Sequence, residues 1–173
     1  MSQRKSGYKR IKDDNYPTPS WVTQAVIPHL PKPPCLIWEP AAGSGKIVNV
    51  LTAAGYTVDA TDIRIASGLD FLDVPKGKCY DVILTNPPYS LAEEFILHAL
   101  ALAPYVAMLL RTDFDHAKTR YNLFANCSAF AKKVVLTKRI RWIEGSTGSP
   151  SYNHAWYLWD KANLGLPVLA YGP

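Results

Sequence analysis

Cys35-Leu36-Ile37-Trp38-Glu39-Pro40-Ala41-Ala42-Gly43-Ser44-Gly45 is the stretch whose reading decides the fold. Cys35 to Glu39 is a short apolar run ending in a carboxylate, which reads as a buried strand, and the small residues after it read as a turn. From Lys46 to Ala54 the pattern becomes helical and Gly55 closes it; Tyr56 to Asp62 is then a second strand that again ends in an acid. Strand, glycine loop, helix and strand form the repeating unit of a parallel sheet with helical crossovers. Upstream, Thr18-Pro19 predicts a helix cap and first helical residue, and Trp21, Val22, Ala25, Val26 and His29 give an apolar stripe that stops before Pro31. Downstream, Leu69 to Leu72 reads as a minimal strand or turn, and Tyr80 to Thr85 as a full strand. Ser90 is placed to cap a helix running to Ala103, and Tyr105 to Leu110 forms the next strand. A helix near Lys118 to Asn126 and two long strands, Lys133 to Trp142 and His154 to Trp159, complete the pattern. The expectation is a doubly wound, mostly parallel α/β sheet with an antiparallel edge at the C-terminus.

Ligands of such sheets bind beyond the carboxyl ends of the strands, where strand order reverses. The loop holding Gly43 and Gly45 lets a ligand approach the backbone closely. What the loop lacks narrows the ligand. A dinucleotide fingerprint needs glycine at 48, where Val48 stands, and a P-loop needs a hydroxyl after Lys46, where Ile47 stands. Glu39 would repel a pyrophosphate but suits a positive sulfonium and a free amino group. Asp62 is placed for ribose hydroxyls, Asp70 for an adenine amino group, and Phe71 for covering the adenine ring. Each aspartate alone reads also as a surface loop or cap, and for Asp70 taken separately that is the better reading; together with the glycine loop they describe a pocket for S-adenosyl-L-methionine.

The run Tyr80 to Thr85 ends in Asn86-Pro87-Pro88-Tyr89. Two prolines fix φ and remove two backbone donors, so the strand cannot continue. An amide oxygen, a rigid carbonyl and an aromatic ring within four residues can grip a planar group that carries an NH2; the alternative is an ordinary Pro-rich turn.

The chain of 173 residues suits one domain, residues 16–173, behind a polar, basic arm of residues 1–15 that is expected to be flexible. No run approaches the length of a membrane span or a signal peptide, so a cytoplasmic protein without membrane contact is expected. Cys35, Cys79 and Cys127 have neither disulfide nor zinc spacing. The net charge of +5 collects in Arg4, Lys5, Lys9, Arg10 and Lys12, and again in Lys132, Lys133, Lys138, Arg139 and Arg141, two candidate phosphate-contacting surfaces. Asp113, Asp115 and His116 are read as a solvated loop in preference to a metal cluster. Trp142, Trp156 and Trp159 read as sheet or core residues, and His154 as a packed or edge histidine near the base pocket.

Tyr16-Pro17-Thr18-Pro19, Glu39 to Gly45, Asp62, Asp70-Phe71 and Asn86-Pro87-Pro88-Tyr89, in that order, resemble the class I S-adenosylmethionine-dependent methyltransferases that modify exocyclic amino groups, most closely the adenine-N6 enzymes. The resemblance covers residues 16 to 110 by motif. It implies a seven-stranded Rossmann-like sheet and cofactor-binding roles for Tyr16, Thr18, Glu39, Ala41, Gly43, Gly45, Asp62, Asp70, Phe71 and Asn86. It also implies catalytic roles for Asn86, Pro87 and Tyr89: the Asn86 oxygen and the Pro87 carbonyl hold the amino group while Tyr89 stacks on the base. No metal is required. The expected partner is nucleic acid, DNA in preference to RNA, with a protein glutamine amide as a further alternative and a non-catalytic cofactor-binding module as another. Only 84 residues follow Tyr89, too few for a separate target-recognition domain. Recognition is left to the basic arm, the loops Arg111 to Arg120 and Lys138 to Tyr152, or a partner or second copy.

Overall fold

The structure is a computed structural model that describes residues 17–65, 68–75, 77, 80–143 and 152–172. The basic arm, Tyr16, Cys79 and the Gly145 to Pro150 segment lie outside the described residues. The elements are α1 Ser20–Val26, β1 Leu36–Glu39, α2 Lys46–Ala53, β2 Thr57–Ala60, β3 Val82–Thr85, α3 Ala92–Leu102, β4 Tyr105–Arg111, β5 Phe130–Leu136, β6 His154–Asp160 and β7 Val168–Gly172. Seven strands form one sheet in the order β2-β1-β3-β4-β6-β5-β7. β2, β1, β3 and β4 are mutually parallel, β6 is antiparallel to both neighbours, and β7 runs parallel to β5. The mostly parallel sheet is as expected; its reversed strand, β6, sits between β4 and β5, and β7 forms the outer edge.

Both faces of the sheet are covered, which is why its central strands are apolar throughout. Side chains alternate between the faces. Ile37, Val82, Leu84, Leu109, Trp156 and Leu158 pack with α1 and α2 through Val22, Val26, Ile47 and Leu51. Trp38, Ile83, Met108, Leu110, Tyr157 and Trp159 pack with α3 through Phe95, Ile96 and Ala99. The three buried indoles each donate to a named acceptor: Trp38 to Thr61 Oγ1 at 2.9 Å, Trp156 to Val22 O at 2.8 Å and Trp159 to Leu123 O at 2.8 Å. Each large ring is therefore buried without stranding its N–H.

Local expectations shift in six places, the first being the helix expected near Lys118 to Asn126, which is a 3-10 turn over Lys118–Leu123. Leu69 to Leu72 is no strand; Phe71–Asp73 is a 3-10 turn in which the Leu72 N–H is capped by Asp70. The long strand expected over Lys133 to Trp142 is β5 at Phe130–Leu136, and the cations 138 to 141 follow outside it. β7 was absent from the sequence reading, although Pro167-Val168-Leu169-Ala170-Tyr171 is a short apolar run. α1 begins at Ser20 with Pro19 at the cap position, so the Thr18 hydroxyl is released from capping. Tyr89–Leu91 is a 3-10 turn and α3 starts at Ala92, so Ser90 lies within the turn and is no cap. Among the described residues no helix is long and apolar enough to cross a membrane.

Candidate active site

After β1 the chain moves outward to β2, then returns to place β3 on the other side of β1. The order therefore reverses between β1 and β3, and the crevice beyond their carboxyl ends is where this class of sheet binds ligands. Glu39 ends β1 and Thr85 ends β3. Glu39 is fully buried, and its Oε1 accepts from Ala41 N at 3.0 Å and from Thr85 Oγ1 at 2.5 Å. One carboxylate thus ties the loop to the neighbouring strand end. Its other oxygen, Oε2, has no hydrogen-bond partner among the described residues. Burial pushes the Glu39 carboxyl up to about 8; the bonds from Thr85 and Ala41 oppose the rise and the nearby Asp62 charge adds to it.

Gly43 and Gly45 have φ of 50° and 76°. These left-handed values cost glycine little and a β-carbon-bearing residue more, so the loop conformation depends on them. Gly45 then sits at the cap position of α2. Asp62, just beyond β2, is 1% exposed and accepts from Gly43 N at 2.9 Å. It also receives Arg64, through the backbone N–H at 2.8 Å and the guanidinium Nε and Nη2 at 3.1 Å each. Burial alone would raise its pKa, but the Arg64 side chain, the two backbone N–H groups and the Arg64 charge hold it below the ordinary carboxylate range.

On the β3 side, Asn86 Nδ2 donates to Thr18 Oγ1 at 3.2 Å, across 68 residues of sequence. Thr18 is 4% exposed. The segment before α1 is thereby fastened over the Asn86 turn. Pro87 is buried and Tyr89 half-buried. The Tyr89 ring lies 6.1 Å from that of His154, inclined at 31°, and His154 in turn meets Trp142 edge-on at 5.2 Å. Burial, with the Arg111 charge second, lowers the His154 pKa to about 4, so this histidine is a neutral packed ring at neutral pH.

Thr18, Ala41, Gly43 and Asn86 line one cleft, together with Lys46 and Arg64. The sequence reading had not singled out the last two for the site. The cleft holds about 30 Å³, water-sized, and Arg64, about one-third exposed, forms part of its wall. Three expected site residues take other positions. Glu39 lies beneath the loop and reaches a ligand only through it. Asp70 Oδ1 accepts from Leu72 N at 3.0 Å, so part of its carboxylate serves as a turn cap. Phe71 is a core residue rather than a lid: it is 2% exposed, with its ring centroid 5.1 Å from Trp38, 4.7 Å from Phe95 and 4.9 Å from His98. Burying an aromatic among aromatics is the stronger pull.

The second basic cluster divides. Lys133 is committed to Asp115 at 2.6 Å and to Thr112 O at 2.9 Å, and Lys132 lies 3.3 Å from His29 Nδ1. Lys138, Arg139 and Arg141 remain exposed beyond β5. Asp113 pairs with Arg111 at 2.6 Å.

No protein-family model matches the chain, and no curated protein matches it. Solved structures do. A type I restriction-modification system methyltransferase subunit from Streptococcus thermophilus aligns at TM-score 0.58 and 15% identity over 87% of this chain. A Listeria monocytogenes protein described as a class I S-adenosylmethionine-dependent methyltransferase aligns at 0.59 and 12% over 88%. A Pyrococcus horikoshii protein described as an RNA methyltransferase aligns at 0.57 and 15% over 91%. This chain spans 46% of the first, 62% of the second and 94% of the third. What these likenesses establish is the architecture, and the chain has the Rossmann-like α/β fold shared by these methyltransferases.

Proposed function

We propose that the chain is an S-adenosyl-L-methionine-dependent methyltransferase acting on the exocyclic N6 amino group of adenine, most readily in DNA. The observation that carries this reading is Asn86-Pro87-Pro88-Tyr89 at the carboxyl end of β3, facing the glycine loop of β1 across the reversal of strand order and fastened to Thr18. Beneath the glycine loop lies Glu39, a buried carboxyl with one oxygen lacking a partner among the described residues. A nearby positive charge would favour its ionised form, so a cationic ligand fits this site better than a phosphate. Bound S-adenosyl-L-methionine supplies an electrophilic methyl group on a sulfonium. Tyr16, Thr18, Ala41, Gly43 and Gly45 would hold its methionine end, and Asp62 and Asp70 its nucleoside, with Arg64 turned away from Asp62.

An adenine amino nitrogen is a poor nucleophile because its lone pair is delocalised into the ring. With Nδ2 turned to Thr18, Asn86 would meet an incoming amino group through its oxygen. Hydrogen bonds from the amino group to that oxygen and to the Pro87 carbonyl localise the lone pair and accept the positive charge that develops as the N–C bond forms. Breaking of the methyl–sulfur bond would balance the new N–C bond, and the extra proton on nitrogen would pass to solvent. Tyr89, half-buried against His154, stacks on the base and holds the nitrogen in line with the methyl carbon. In duplex DNA the base must first leave the stack, at a cost of a few kcal/mol.

DNA is favoured by the net charge of +5 and by the likeness to a restriction-modification subunit. The same reaction on RNA is the second reading, favoured by the likeness to a protein of similar length described as an RNA methyltransferase. Target recognition by the basic arm, the loops near the site or a partner belongs to the proposal. The test is transfer of labelled methyl from S-adenosyl-L-methionine to unmethylated DNA, RNA and protein extract, with nucleoside analysis. Methyladenine in DNA, lost in Asn86→Ala, is the expected result; wild-type turnover by that variant would sink the assignment.

A further inference from the structure

Beside the candidate active site lies a larger cleft of about 600 Å³, lined chiefly by Trp21, Lys46, Lys138, Arg139, Arg141 and Trp142. Among the described residues its lining holds four cations and no carboxylate. All four cations are exposed and both tryptophans are half-buried. The elements that build it are distant in sequence: the start of α1, the start of α2 and the chain leaving β5. Arg139 Nε donates to Asn153 Oδ1 at 2.9 Å, and an anion set against Lys46 and Lys138 would ease the repulsion of like charges gathered from three elements. Flat rings between the charges restrict which anion. Lys138 Nζ stands 5.4 Å from the Trp21 ring centroid, which places a cation and a stacking face at the same point. An acidic peptide would use the charges and leave the rings idle; an unpaired nucleotide uses both. Paired bases keep their faces stacked on one another and cannot offer them.

The cleft is continuous with the active site. Pro17 and Lys46 border both, and between Pro17 and Pro19, which face the cleft, the Thr18 side chain reaches Asn86. A strand lying in the cleft would pass Pro17 and Lys46 on its way to the cleft that Asn86 lines.

We infer that this cleft binds a single-stranded segment of nucleic acid next to the base delivered to Asn86, with phosphates on Lys46, Lys138, Arg139 and Arg141 and bases on Trp21 and Trp142. Delivery to Asn86 rests on the methyltransferase reading; the binding itself does not. The test uses the full chain and labelled oligomers of about 12 nucleotides, long enough for one such groove. Fluorescence anisotropy compares single-stranded DNA, single-stranded RNA of the same sequence, duplex DNA and a poly-glutamate peptide over a salt series. Affinity for S-adenosylhomocysteine is measured separately by calorimetry.

At least one single strand should bind about tenfold more tightly than duplex or peptide, and the DNA and RNA arms identify which. Lys138→Gln should weaken that binding several-fold and reduce the salt slope by about 0.7, one phosphate contact on a single strand. Trp21→Ala should weaken it about tenfold with the slope unchanged, because a stacking face and not a charge is lost. Should Trp21→Ala melt, the exposed Lys138 variant still carries the test. Duplex or peptide binding as tight as the single strands, or oligomer affinity unmoved by both variants, would overturn the inference. Variant-sensitive single-strand binding without S-adenosylhomocysteine binding would remove the methyltransferase reading and leave the cleft standing. S-adenosylhomocysteine binding beside variant-insensitive oligomer binding would do the reverse.

Discussion

β1, β2 and β3 have four residues each, whereas β4, β5 and β6 have seven. The short strands stop early, and their ends carry Glu39, Thr61-Asp62 and Thr85-Asn86 close to one another. The long strands pair over their full length, β4 with β6 from Tyr105↔Asp160 to Arg111↔His154. They also bury Met108, Leu109, Trp156, Tyr157 and Trp159 completely. One half of the sheet spends its backbone on loops that can meet a ligand; the other spends it on ladder and apolar contact. Binding and rigidity are thus divided between neighbouring parts of one sheet, and substitutions should separate them.

Asn86→Ala should give the largest effect on the short-strand side. Removing a positioned acceptor costs on the order of 10² to 10³ in rate or more, with little change in melting temperature, since the side chain gives up one hydrogen bond. If the variant unfolds instead, the separation of roles is wrong. Trp159→Ala is the counterpart on the long-strand side. It empties a fully buried site and strands the Leu123 carbonyl, at a cost of about 3–5 kcal/mol read by urea denaturation. Intact S-adenosylhomocysteine binding below the melting point would sharpen the comparison.

Glu39 and His154 test it through pH. The folded pKa of Glu39 is raised to about 8, so its contribution to stability is full below the ordinary carboxylate pKa and is lost as pH rises toward 8. His154 has a folded pKa of about 4, so its contribution is full above 6.5 and is lost as pH falls toward 4. Glu39→Gln should therefore lift the alkaline loss, by roughly a few kcal/mol, and leave the acid loss in place. Denaturation curves at pH 5, 7 and 9 that track the wild type throughout would contradict the buried, unpaired state of Oε2. Thr18→Val should have the smallest effect. It keeps the shape and removes the acceptor for Asn86 Nδ2, worth about 1 kcal/mol. A lower kcat with KM for the cofactor unchanged would identify Thr18 as a positioning residue; a matching fall in melting temperature alone would make it structural.

The strands β1 to β6, the helices α1 to α3 and the two special loops were legible because each depends on residues close in sequence. Apolar runs, prolines at 87 and 88 and glycines at 43 and 45 limit the backbone by sterics within a few bonds. Misreadings came where distant packing overrode a local signal. Phe71 followed an acid in a loop and looked exposed, yet Trp38 and Phe95 hold it in the core. Thr18-Pro19 has the local form of a cap, yet the hydroxyl serves Asn86. The cation run from Lys132 to Arg141 looked like one surface until β5 ended within it and turned Lys133 inward to Asp115.

The sequence by itself determined an α/β alternation, a glycine loop after a strand that ends in glutamate, and a strand stopped by two prolines beside an asparagine, all consequences of short-range backbone freedom. Only the tertiary structure decided that these two loops face each other, that Glu39 is sealed beneath them, and that Trp21, Lys46 and Lys138 border one cleft. Those outcomes depend on strand order and on which groups lose water together, and no local rule of chain geometry contains either.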